Sequence, residues 1–372
     1  MKLENESGLG RGAGGARASI IETRNGALEK SASNRGGSRM RVYQLEQLGS
    51  LDGLVLAEQD IPSPGVGEVL VRVRASSLNF RDLMIVNGGY PMPVPPGRVP
   101  LSDGAGEVVA VGAGVTRFRI GDRVINSFFP NWFGGSFKAM PEQWVVDHDG
   151  WLTEYKAISA EALVRMPEYL TFEEAATLPC AAVTAWSALS GVRAGDTVLT
   201  QGKGGVSLFA LQLAKALGTR VIATTTNPES AARLRELGAD EVIDNRDSPN
   251  WGDKVRALTG GHGVDRVVDV GGPGTLAQST KAVAYGGQVS LVGALAAAEG
   301  EGGMDFWSMF TSWARFQPIA TGSRRDLEDL CPVMEQHKIR PVIDSVFSFD
   351  DAKAGLKHYA GRKVTGKVVI RH

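Results

Sequence analysis

Cysteine, net charge and long apolar runs are all scarce in this chain. Only Cys180 and Cys331 occur among its 372 residues, which excludes a disulfide framework and a site built from several thiolates. A formal net charge of -1 without any basic block argues against binding to nucleic acid or anionic membranes. No stretch approaches the ~20 apolar residues of a membrane span, and no signal-peptide core is present. We therefore expect a cytoplasmic protein that acts on small molecules, with no nucleic-acid or membrane partner.

Histidine is scarce too, and its copies are scattered. None stands in a pattern that pairs it with a nucleophilic serine or cysteine, the arrangement that acyl-transfer enzymes need. The histidines are His148, His262, His337, His358 and His372. Hydrolysis through a covalent intermediate is therefore not predicted.

A glycine-rich turn is the strongest positive signal. Residues 200–207 read TQGKGGVS, between an apolar stretch at 196–200 and a helix-like segment at 208–217. Glycines in a tight turn let backbone N–H groups approach phosphate oxygens, and the helix that follows presents its positive end to the anion. The residues that meet this need are Gly202, Gly204, Gly205 and the adjoining Val206. The pattern predicts a dinucleotide pyrophosphate site, with an ordinary glycine-rich turn as the alternative.

The character of the sequence changes along the chain. Residues 1–39 are rich in Gly, Ser, Asn, Arg and Glu and contain too little apolar surface to fold, so we expect a disordered N-terminal extension. From Met40, short strands and turns indicate an all-β segment. From about residue 171, strands alternate with helices. This spacing predicts an α/β fold with a doubly wound parallel sheet.

Individual elements follow from the apolar periodicity. A helix-like stretch covers 171–190. Strands of the parallel sheet are predicted at 197–200, 220–224, 241–244, 266–270, 288–292 and 319–321. Helices between them are predicted at 208–217, 229–237 and 251–258. The last segment is mixed, with helices near 325–337 and 350–359 and strands near 342–347 and 367–370.

Seven short motifs are spread from Met40 to the end of the chain. They are SLNFRDL at 77–83, LSDGAGEVV at 101–109, GDRV at 121–124, residues 181–189, the glycine turn, LGAD at 237–240 and GKVVI at 366–370. Jointly they resemble the zinc-independent branch of the medium-chain dehydrogenase/reductase superfamily, the quinone oxidoreductase-like and alcohol dehydrogenase-like proteins. The resemblance implies a GroES-like β domain formed by residues 40–165 and 323–372 and a Rossmann dinucleotide-binding domain at 166–322. It also implies an active site in the cleft between these domains, and a homodimer that pairs Rossmann sheets edge to edge.

The metal ligands of zinc-using relatives are replaced in this sequence. A Cys, a His and a second Cys hold the catalytic metal in those relatives, and they match Asn79, Ser102 and Cys180 here. An amide and a hydroxyl beside one thiol do not supply the donors that zinc needs. The loop after residue 126 also lacks the cysteine cluster that binds structural zinc in those relatives. We therefore predict that the protein has no zinc site.

The end of the second strand of the dinucleotide-binding unit bears on the choice of cofactor. NAD-specific proteins usually place an acidic side chain there, whereas this chain has TTTN at 224–227. Without a carboxylate the site does not repel a 2′-phosphate, and hydroxyls can donate to one. The candidate contacts are Thr225, Thr226, Asn227 and the cation Arg233, which is alternatively a solvated helix-face charge. We predict NADP(H) as the cofactor, with NAD(H) as the less favoured choice.

Further cofactor contacts are implied by the resemblance. Lys367 matches a position where a basic side chain reaches the pyrophosphate, although a lysine at a strand start can also be a surface residue. Thr184 matches a position near the nicotinamide, and its alternative is a hydrogen bond to its own helical turn. Gly271, Val292 and Gly293 follow predicted strands, where backbone groups meet ligands in open α/β folds.

Four polar residues are candidates for catalysis. Hydride transfer to an electrophilic carbon builds negative charge on oxygen, and without zinc that charge must be stabilised by hydrogen bonds. The Asn79 amide can donate to a carbonyl oxygen, and Arg81 or Tyr90 can help if they face the cleft. Asp82 orients Asn79 or Arg81. Each of these residues has a structural role in a turn as its alternative.

Electron-poor acceptors suit this chemistry best, because they need less help from a Lewis acid. The leading hypothesis is a zinc-independent, NADPH-dependent oxidoreductase that transfers hydride to quinones or α,β-unsaturated carbonyls. An NAD(P)-dependent alcohol dehydrogenase or carbonyl reductase is the second hypothesis, and an NADPH-binding redox sensor without significant turnover is the third. The aromatic residues within 128–133 and 306–313 either wall a substrate pocket or form a dimer contact.

Overall fold

A computed structural model describes residues 38–227, 229–293 and 306–372 of the chain. The chain divides into two units, Met1–Ser38 and Arg39–His372, and the fold and the candidate site both belong to the second. The predicted disordered extension at 1–39 falls almost entirely outside the described residues. Within the described ranges, no helix has the length and apolarity that crossing a bilayer requires.

Antiparallel strands dominate the first part of the second unit. They are β1 (Arg39–Leu45), β2 (Leu54–Asp60), β3 (Glu68–Ser77), β4 (Asp103–Val111), β5 (Arg123–Asn126), β6 (Tyr155–Ser159) and β7 (Leu163–Arg165). Strands β1 and β2 pair with each other, whereas β3 pairs with both β4 and β6. The alternation of buried and exposed side chains in β3 explains why its centre was readable from the sequence.

A parallel sheet forms the second part. Its strands are β8 (Thr197–Gln201), β9 (Arg220–Thr225), β10 (Glu241–Asp244), β11 (Val264–Asp269), β12 (Val283–Leu291) and β13 (Arg315–Pro318). The spatial order is β10-β9-β8-β11-β12-β13, and every pairing is parallel. This is the strand order of a Rossmann sheet, so the predicted α/β class is confirmed. The order reverses between β8 and β11, the point where ligands bind in such sheets.

Helices connect the strands. They are α1 (Phe80–Val86), α2 (Phe172–Ala175), α3 (Val183–Ala188), α4 (Gly205–Ala216), α5 (Glu229–Glu236), α6 (Trp251–Leu258), α7 (Leu276–Ala282), α8 (Phe306–Ser312), α9 (Arg324–His337) and α10 (Ala352–Ala360). Helix α4 begins directly after the glycine turn, as predicted. Helices α1 and α7 were not predicted, because each has only seven residues and no extended apolar stripe.

The end of the chain returns to the antiparallel sheet. Strands β14 (Ile343–Ser348) and β15 (Lys367–Arg371) pair in parallel, and β15 pairs antiparallel with β3. The resulting sheet has the order β14-β15-β3-β4-β5-β7, with β6 on the other part of β3. Lys367 therefore lies next to residues that precede it by nearly 300 positions. The exact domain limits stay predictions.

Two predictions of local structure are wrong. The helix-like stretch at 171–190 is broken into α2, a π-helical segment at Leu178–Ala182 and α3. Pro179 lies in that segment, and proline has no N–H to continue an α-helical ladder. The last strand of the parallel sheet lies at Arg315–Pro318 and not at 319–321. Its residues lack the apolar run that identified the other strands, and three of the four are exposed.

One hydrophobic core is shared by the two sheets. Ala75 and Ala105 from the antiparallel sheet lie in the same buried cluster as Ala181, Leu208 and Phe209. Close packing of small side chains against the first turns of α4 holds the glycine turn against the antiparallel sheet. The candidate site lies at this junction.

Candidate active site

Backbone geometry explains the glycines of the turn. Gly202 has a φ of +75°, in the left-handed region that residues with a β-carbon rarely adopt. Gly204 is the N-cap residue of α4, and a β-carbon added there would meet no atom within 4 Å. No side chain of residues 38–227, 229–293 or 306–372 caps this helix. Open space therefore lies at the positive end of α4, where the first backbone N–H groups have no intrahelical partner.

The turn is attached to the start of β15. Gly366 donates its N–H to the carbonyl oxygen of Lys203 at 2.9 Å, and Gly366 forms a bridge with Gly204. Gly366 has a φ of +86°, and a β-carbon there would come within 2.1 Å of the Val342 carbonyl oxygen. Only glycine fits this position. Sequence reasoning did not assign Gly366 to the site, although its place before Lys367 in the closing motif was a usable signal.

Lys367 crosses from the turn to the antiparallel sheet. A β-carbon on Gly205 would lie 2.7 Å from Lys367 Cδ, so the lysine stem occupies the space that the glycine leaves. The ammonium donates to the Leu78 carbonyl oxygen and to Asn79 Oδ1, both at 2.5 Å. Lys367 is only 2% exposed. It is therefore not a surface lysine, and its charge is held at Asn79.

Asn79 and Asp82 form a hydrogen-bonded pair at the start of α1. The Asn79 N–H donates to Asp82 Oδ2 at 2.7 Å, and Asn79 Nδ2 donates to Ser102 Oγ at 3.4 Å. Burial raises the pKa of Asp82 to about 6, an effect that the neighbouring Arg81 charge partly opposes. Asp82 Oδ1 is buried and has no hydrogen-bond partner in the described part of the chain. The carboxyl group therefore orients Asn79 with one oxygen and leaves the other unused.

Asp103 and Cys180 complete the polar floor of the site. Asp103 accepts hydrogen bonds from Ser102 Oγ at 2.9 Å and from the Cys180 N–H at 3.2 Å. Burial raises the pKa of Asp103, and the Lys367 charge acts against that rise. Burial, followed by the Asp103 charge, raises the pKa of the Cys180 thiol, which is therefore neutral at physiological pH. Asp103 thus acts as a hydrogen-bond acceptor within the floor.

The other two predicted catalytic residues lie together on one side of this floor. Tyr90 donates its hydroxyl to Gln143 Oε1 at 2.8 Å, and the Arg81 guanidinium lies over the Tyr90 ring. Arg81 Nη2 also faces Gln143 Oε1, at 3.3 Å. Gln143 was missed by sequence reasoning, because nothing in its neighbourhood distinguishes it from a surface glutamine.

The residues at 225–227, predicted to contact the adenosine part of the cofactor, lie at and after the end of β9. The Thr225 hydroxyl donates to the Asn227 carbonyl oxygen at 3.1 Å and accepts from its N–H at 3.0 Å, which gives the turn a fixed shape. Thr226 lies between them, and none of these residues carries an acidic group. Arg233 pairs with Glu236 at 2.9 Å on the exposed face of α5. Among the residues that the structure describes, Arg233 forms no hydrogen bond or ion pair with the β9 turn.

Backbone groups after β11 and β12 belong to the same edge of the parallel sheet. Gly271 follows β11 and faces Gln201 Oε1 with its N–H at 3.4 Å. Val292 donates to the Asp269 carbonyl oxygen at 2.8 Å, and Gly293 follows it. Gln201 is the last residue of β8, so its side chain connects the end of β8 to the end of β11. Gln201 was also missed by sequence reasoning.

Thr184 takes the structural alternative in this structure. Its hydroxyl donates to the Cys180 carbonyl oxygen at 2.7 Å, within the turn where the π-helical segment passes into α3. It is nevertheless buried, and its helix α3 packs against α4. A contact with a nicotinamide at this position stays a prediction.

A cavity of about 670 Å³ lies elsewhere, between the end of β7 and α9. Its lining includes Arg117, Arg165, Glu328 and Cys331, and Arg117 pairs with Glu328 at 2.8 Å. None of the predicted site residues lines it. The reactive groups described above therefore belong to a different place in the fold.

Comparisons with known proteins identify the family. Residues 65–168 match the alcohol dehydrogenase GroES-like domain, and residues 205–336 match the zinc-binding dehydrogenase family. A zinc-type alcohol dehydrogenase-like protein of Schizosaccharomyces pombe is 37% identical over 342 residues, which cover 89% of this chain and 99% of that protein. The chain belongs to the medium-chain dehydrogenase/reductase superfamily. It is an oxidoreductase of that type, and the expected combination of a GroES-like part with a Rossmann sheet is confirmed.

Two further medium-chain relatives show the range of activities around this chain. A quinone oxidoreductase of Pseudomonas aeruginosa is 33% identical, and the match covers 82% of this chain and 92% of that protein. A solved NAD-dependent alcohol dehydrogenase has a TM-score of 0.82 and 33% identity, covering 90% of this chain and 100% of the other. The superfamily uses nicotinamide cofactors, and these relatives differ in substrate. The choice of substrate therefore depends on the residues of this particular site.

The donor set of this medium-chain protein does not fit zinc. Within the described ranges, no group of three His, Cys, Asp or Glu side chains is placed to hold a metal ion. The three positions that correspond to metal ligands hold an amide, a hydroxyl and one thiol (Asn79, Ser102 and Cys180), and Asn79 Oδ1 already accepts from the Lys367 ammonium. A metal cation bound at Asn79 would be repelled by the buried Lys367 ammonium that contacts the same side chain. No step of the chemistry is therefore assigned to a metal.

The residues of the turn do fit a dinucleotide. The open space at Gly204, the uncapped start of α4 and the positive φ of Gly202 together make a cradle for a pyrophosphate. The buried hydroxyl oxygens of Thr200 and Thr224 have no partner among the described residues. Both lie at the ends of the strands that flank the turn. The site thus offers backbone N–H groups to a phosphate-bearing ligand, whereas Thr200 and Thr224 are fully buried.

Proposed function

We propose that this protein is a zinc-independent, NADPH-dependent reductase that transfers hydride to quinones or α,β-unsaturated carbonyls. The observation that carries the proposal is the Lys367 ammonium bound to Asn79 Oδ1, at the place where zinc-using relatives hold their metal. A protein cation and an amide donor take over the stabilisation of developing negative charge. Such stabilisation suffices for acceptors that are already electron-poor.

The orientation of Asn79 supports its role as a donor to substrate. Because Oδ1 accepts from Lys367, Nδ2 must point the other way, and one of its two hydrogens faces Ser102 Oγ at a long 3.4 Å. The amide also hydrogen-bonds the Asp103 carboxyl group, so a substrate carbonyl oxygen would share or replace one of these two contacts. The nearby ammonium polarises the amide and strengthens this donor. Asp82 fixes the backbone of Asn79, so the donor is preorganised before substrate binds.

A bound reduced nicotinamide would supply the hydride for this reaction. The residues proposed to hold the cofactor are Gly202, Gly204, Gly205, Val206, Thr184, Thr225, Thr226, Asn227, Gly271, Val292, Gly293 and Lys367 through its stem. Arg233 takes part if its ion pair with Glu236 opens. The absence of an acidic group at 224–227 supports NADPH over NADH, because no carboxylate there repels a 2′-phosphate.

We expect the purified protein to oxidise NADPH rapidly with 1,2-naphthoquinone as acceptor, and dialysis against EDTA is expected to leave the rate unchanged. The measurement is the loss of nicotinamide absorbance, with a reaction lacking enzyme as control. The same assay with NADH is expected to give a lower kcat/KM. The reason for both results is that the site stabilises charge with Asn79 and Lys367 and has no carboxylate at the β9 turn.

Other results would favour the competing functions. Alcohol oxidation that disappears after chelation would indicate a metal-dependent alcohol dehydrogenase. Tight NADPH binding without reduction of quinones, enones or aldehydes would indicate a redox sensor. A preference for NADH would contradict the cofactor assignment while leaving the reaction class intact.

We also propose a cytoplasmic homodimer in which two parallel sheets meet edge to edge. Strand β13 is the last in its sheet, and an aromatic surface lies on α8 and in the short segment that joins α8 to β13 in the chain. This surface consists of Phe306, Trp307, Phe310 and Trp313, each more than half exposed. Four adjacent exposed aromatic side chains are unusual on a monomer and typical of an interface. A second copy of the chain would extend the sheet and cover them.

Light scattering is expected to give a mass about twice the 39.5 kDa of one chain. The double substitution Trp307→Glu and Phe310→Glu is expected to yield monomers, because buried carboxylates at an interface destabilise it. Val66→Glu is the matched control, since Val66 is 84% exposed and distant in the fold from β13. A monomeric wild-type protein, or a double variant that stays dimeric, would refute the proposed interface.

A further inference from the structure

Arg81 has an unusual environment for a charged side chain. It is the second residue of α1, and its guanidinium lies over two aromatic rings, with Cζ at 4.9 Å from the Tyr90 ring centre and 5.2 Å from that of Phe128. Such stacking favours a cation and restricts its orientation. The guanidinium is therefore held in a flat slot beside the start of α1, where Asn79 also lies.

Most of the hydrogen-bonding capacity of this guanidinium is unused. Nη2 alone faces acceptors, at 3.2 Å from the Trp144 carbonyl oxygen, 3.3 Å from Gln143 Oε1 and 3.5 Å from the Tyr90 hydroxyl. Nε and Nη1 are buried and have no partner among the described residues. Leaving charged donors buried and unpaired is unfavourable. Such donors are therefore expected where a bound ligand supplies the missing hydrogen-bond acceptors.

No carboxylate of the described residues forms an ion pair with Arg81. The nearest acidic residue in sequence, Asp82, directs Oδ2 to the Asn79 N–H. The Arg81 charge nevertheless acts on the floor of the site, since it opposes the burial that raises the pKa of Asp82 and of the Cys180 thiol. Arg81 is therefore a cation close to the proposed reacting groups, and no carboxylate of the described residues pairs with it.

We propose that Arg81 binds a carboxylate of the acceptor substrate, so that the preferred acceptor is a carbonyl compound that also carries an acid group. This proposal rests on the proposed function, because it places the acceptor beside Asn79. A carboxylate is favoured over a tetrahedral phosphate since it is planar and can lie in the plane of a guanidinium bounded by two rings. Arg81 is then a specificity-determining residue of the reductase.

The test uses a pair of ligands that differ only in charge, cinnamate and the neutral cinnamamide, with binding measured by titration calorimetry. We expect wild-type protein to bind cinnamate about tenfold more tightly than cinnamamide, and Arg81→Gln to bind the two about equally. Arg81→Lys keeps a cation and is expected to retain part of the preference. Arg119→Gln is the charge-matched control, because the Arg119 side chain is 88% exposed, and it is expected to keep the wild-type ratio.

The binding ratio does not depend on turnover. Equal affinities in wild-type protein, or an unchanged ratio in Arg81→Gln, would overturn the role of Arg81 even if 1,2-naphthoquinone is reduced rapidly. Conversely, an Arg81-dependent preference for cinnamate together with no reduction of any acceptor would uphold the anion site and reject the reductase. If Arg81→Gln does not fold, Arg81→Lys decides instead: a cinnamate preference that is reduced relative to Arg119→Gln supports the contact with the guanidinium, and an unchanged preference refutes it.

Discussion

Replacement of Lys367 by methionine is expected to reduce kcat/KM for quinone reduction roughly a hundredfold, the size typical of losing one charge-stabilising donor. The ammonium makes two short polar contacts, at 2.5 Å to the Leu78 carbonyl oxygen and to Asn79 Oδ1. Without it the Asn79 amide can flip, and the cation that is proposed to polarise this amide is gone. Steady-state kinetics with NADPH and 1,2-naphthoquinone measures the change.

Stability is expected to fall in the same variant, by about 3 kcal/mol in the free energy of unfolding, because a buried polar network loses its cation. The loss depends on pH through Asp103. Burial raises the pKa of that carboxyl in the folded protein, so its effect on stability is most favourable below its unfolded pKa and is lost as the pH rises through the folded pKa. The Lys367 charge lowers the pKa of Asp103, so removal of that charge raises the pKa of Asp103 in the folded protein further. The variant is therefore expected to be more destabilised near pH 8 than near pH 5.

Two controls make this result specific. Lys363→Met is the same substitution four positions earlier on an exposed residue, and it is expected to leave activity and stability unchanged. Lys367→Arg keeps the cation and tests whether charge alone suffices. A methionine variant at position 367 with wild-type kcat/KM would show that Asn79 acts without the ammonium, and the proposed replacement of the metal would be wrong.

The sequence was informative wherever local rules determine structure. The helix at 251–258 and the strand at 241–244 were predicted at their observed bounds, because apolar periodicity and flanking glycines mark them clearly. The glycine turn was recognised because a positive φ at Gly202 and close backbone approach leave few other residue choices. Asn79 and Asp82 were recognised through a motif, although the helix that they begin was not.

The remainder depends on contacts between distant parts of the chain. Lys367 meets Asn79 only because β15 pairs with β3, and no local pattern encodes a contact across 288 positions. Gln143 contacts Arg81 because of the path of its loop, and the sequence of that loop has no periodic pattern. Pro179 was a local signal for a break in the helix, but the apolar periodicity around it led to the prediction of a continuous helix. Long-range pairing, and not residue type, decides which polar groups of this chain become a site.

Gly204→Ala is expected to separate stability from cofactor binding more cleanly than any other substitution at the site. Gly204 has φ −76° and ψ 170°, which alanine adopts without strain, and the added β-carbon meets no atom within 4 Å. The free energy of unfolding should therefore change by less than about 1 kcal/mol. The KM for NADPH should rise by tenfold or more, roughly the loss of one or two charged hydrogen bonds, because the methyl group enters the space proposed for the pyrophosphate.

Chemical denaturation and NADPH titration together decide the outcome of this substitution. Gly134→Ala is the matched control, since its β-carbon would lie at an ordinary 3.4 Å from Arg325 Cβ, and Gly134 lies outside the glycine turn. It is expected to change neither quantity. A stable Gly204→Ala variant with an unchanged KM for NADPH would mean that the pyrophosphate does not lie over the start of α4. Water or a different anion would then satisfy the first N–H groups of that helix, which have no side-chain cap among the described residues.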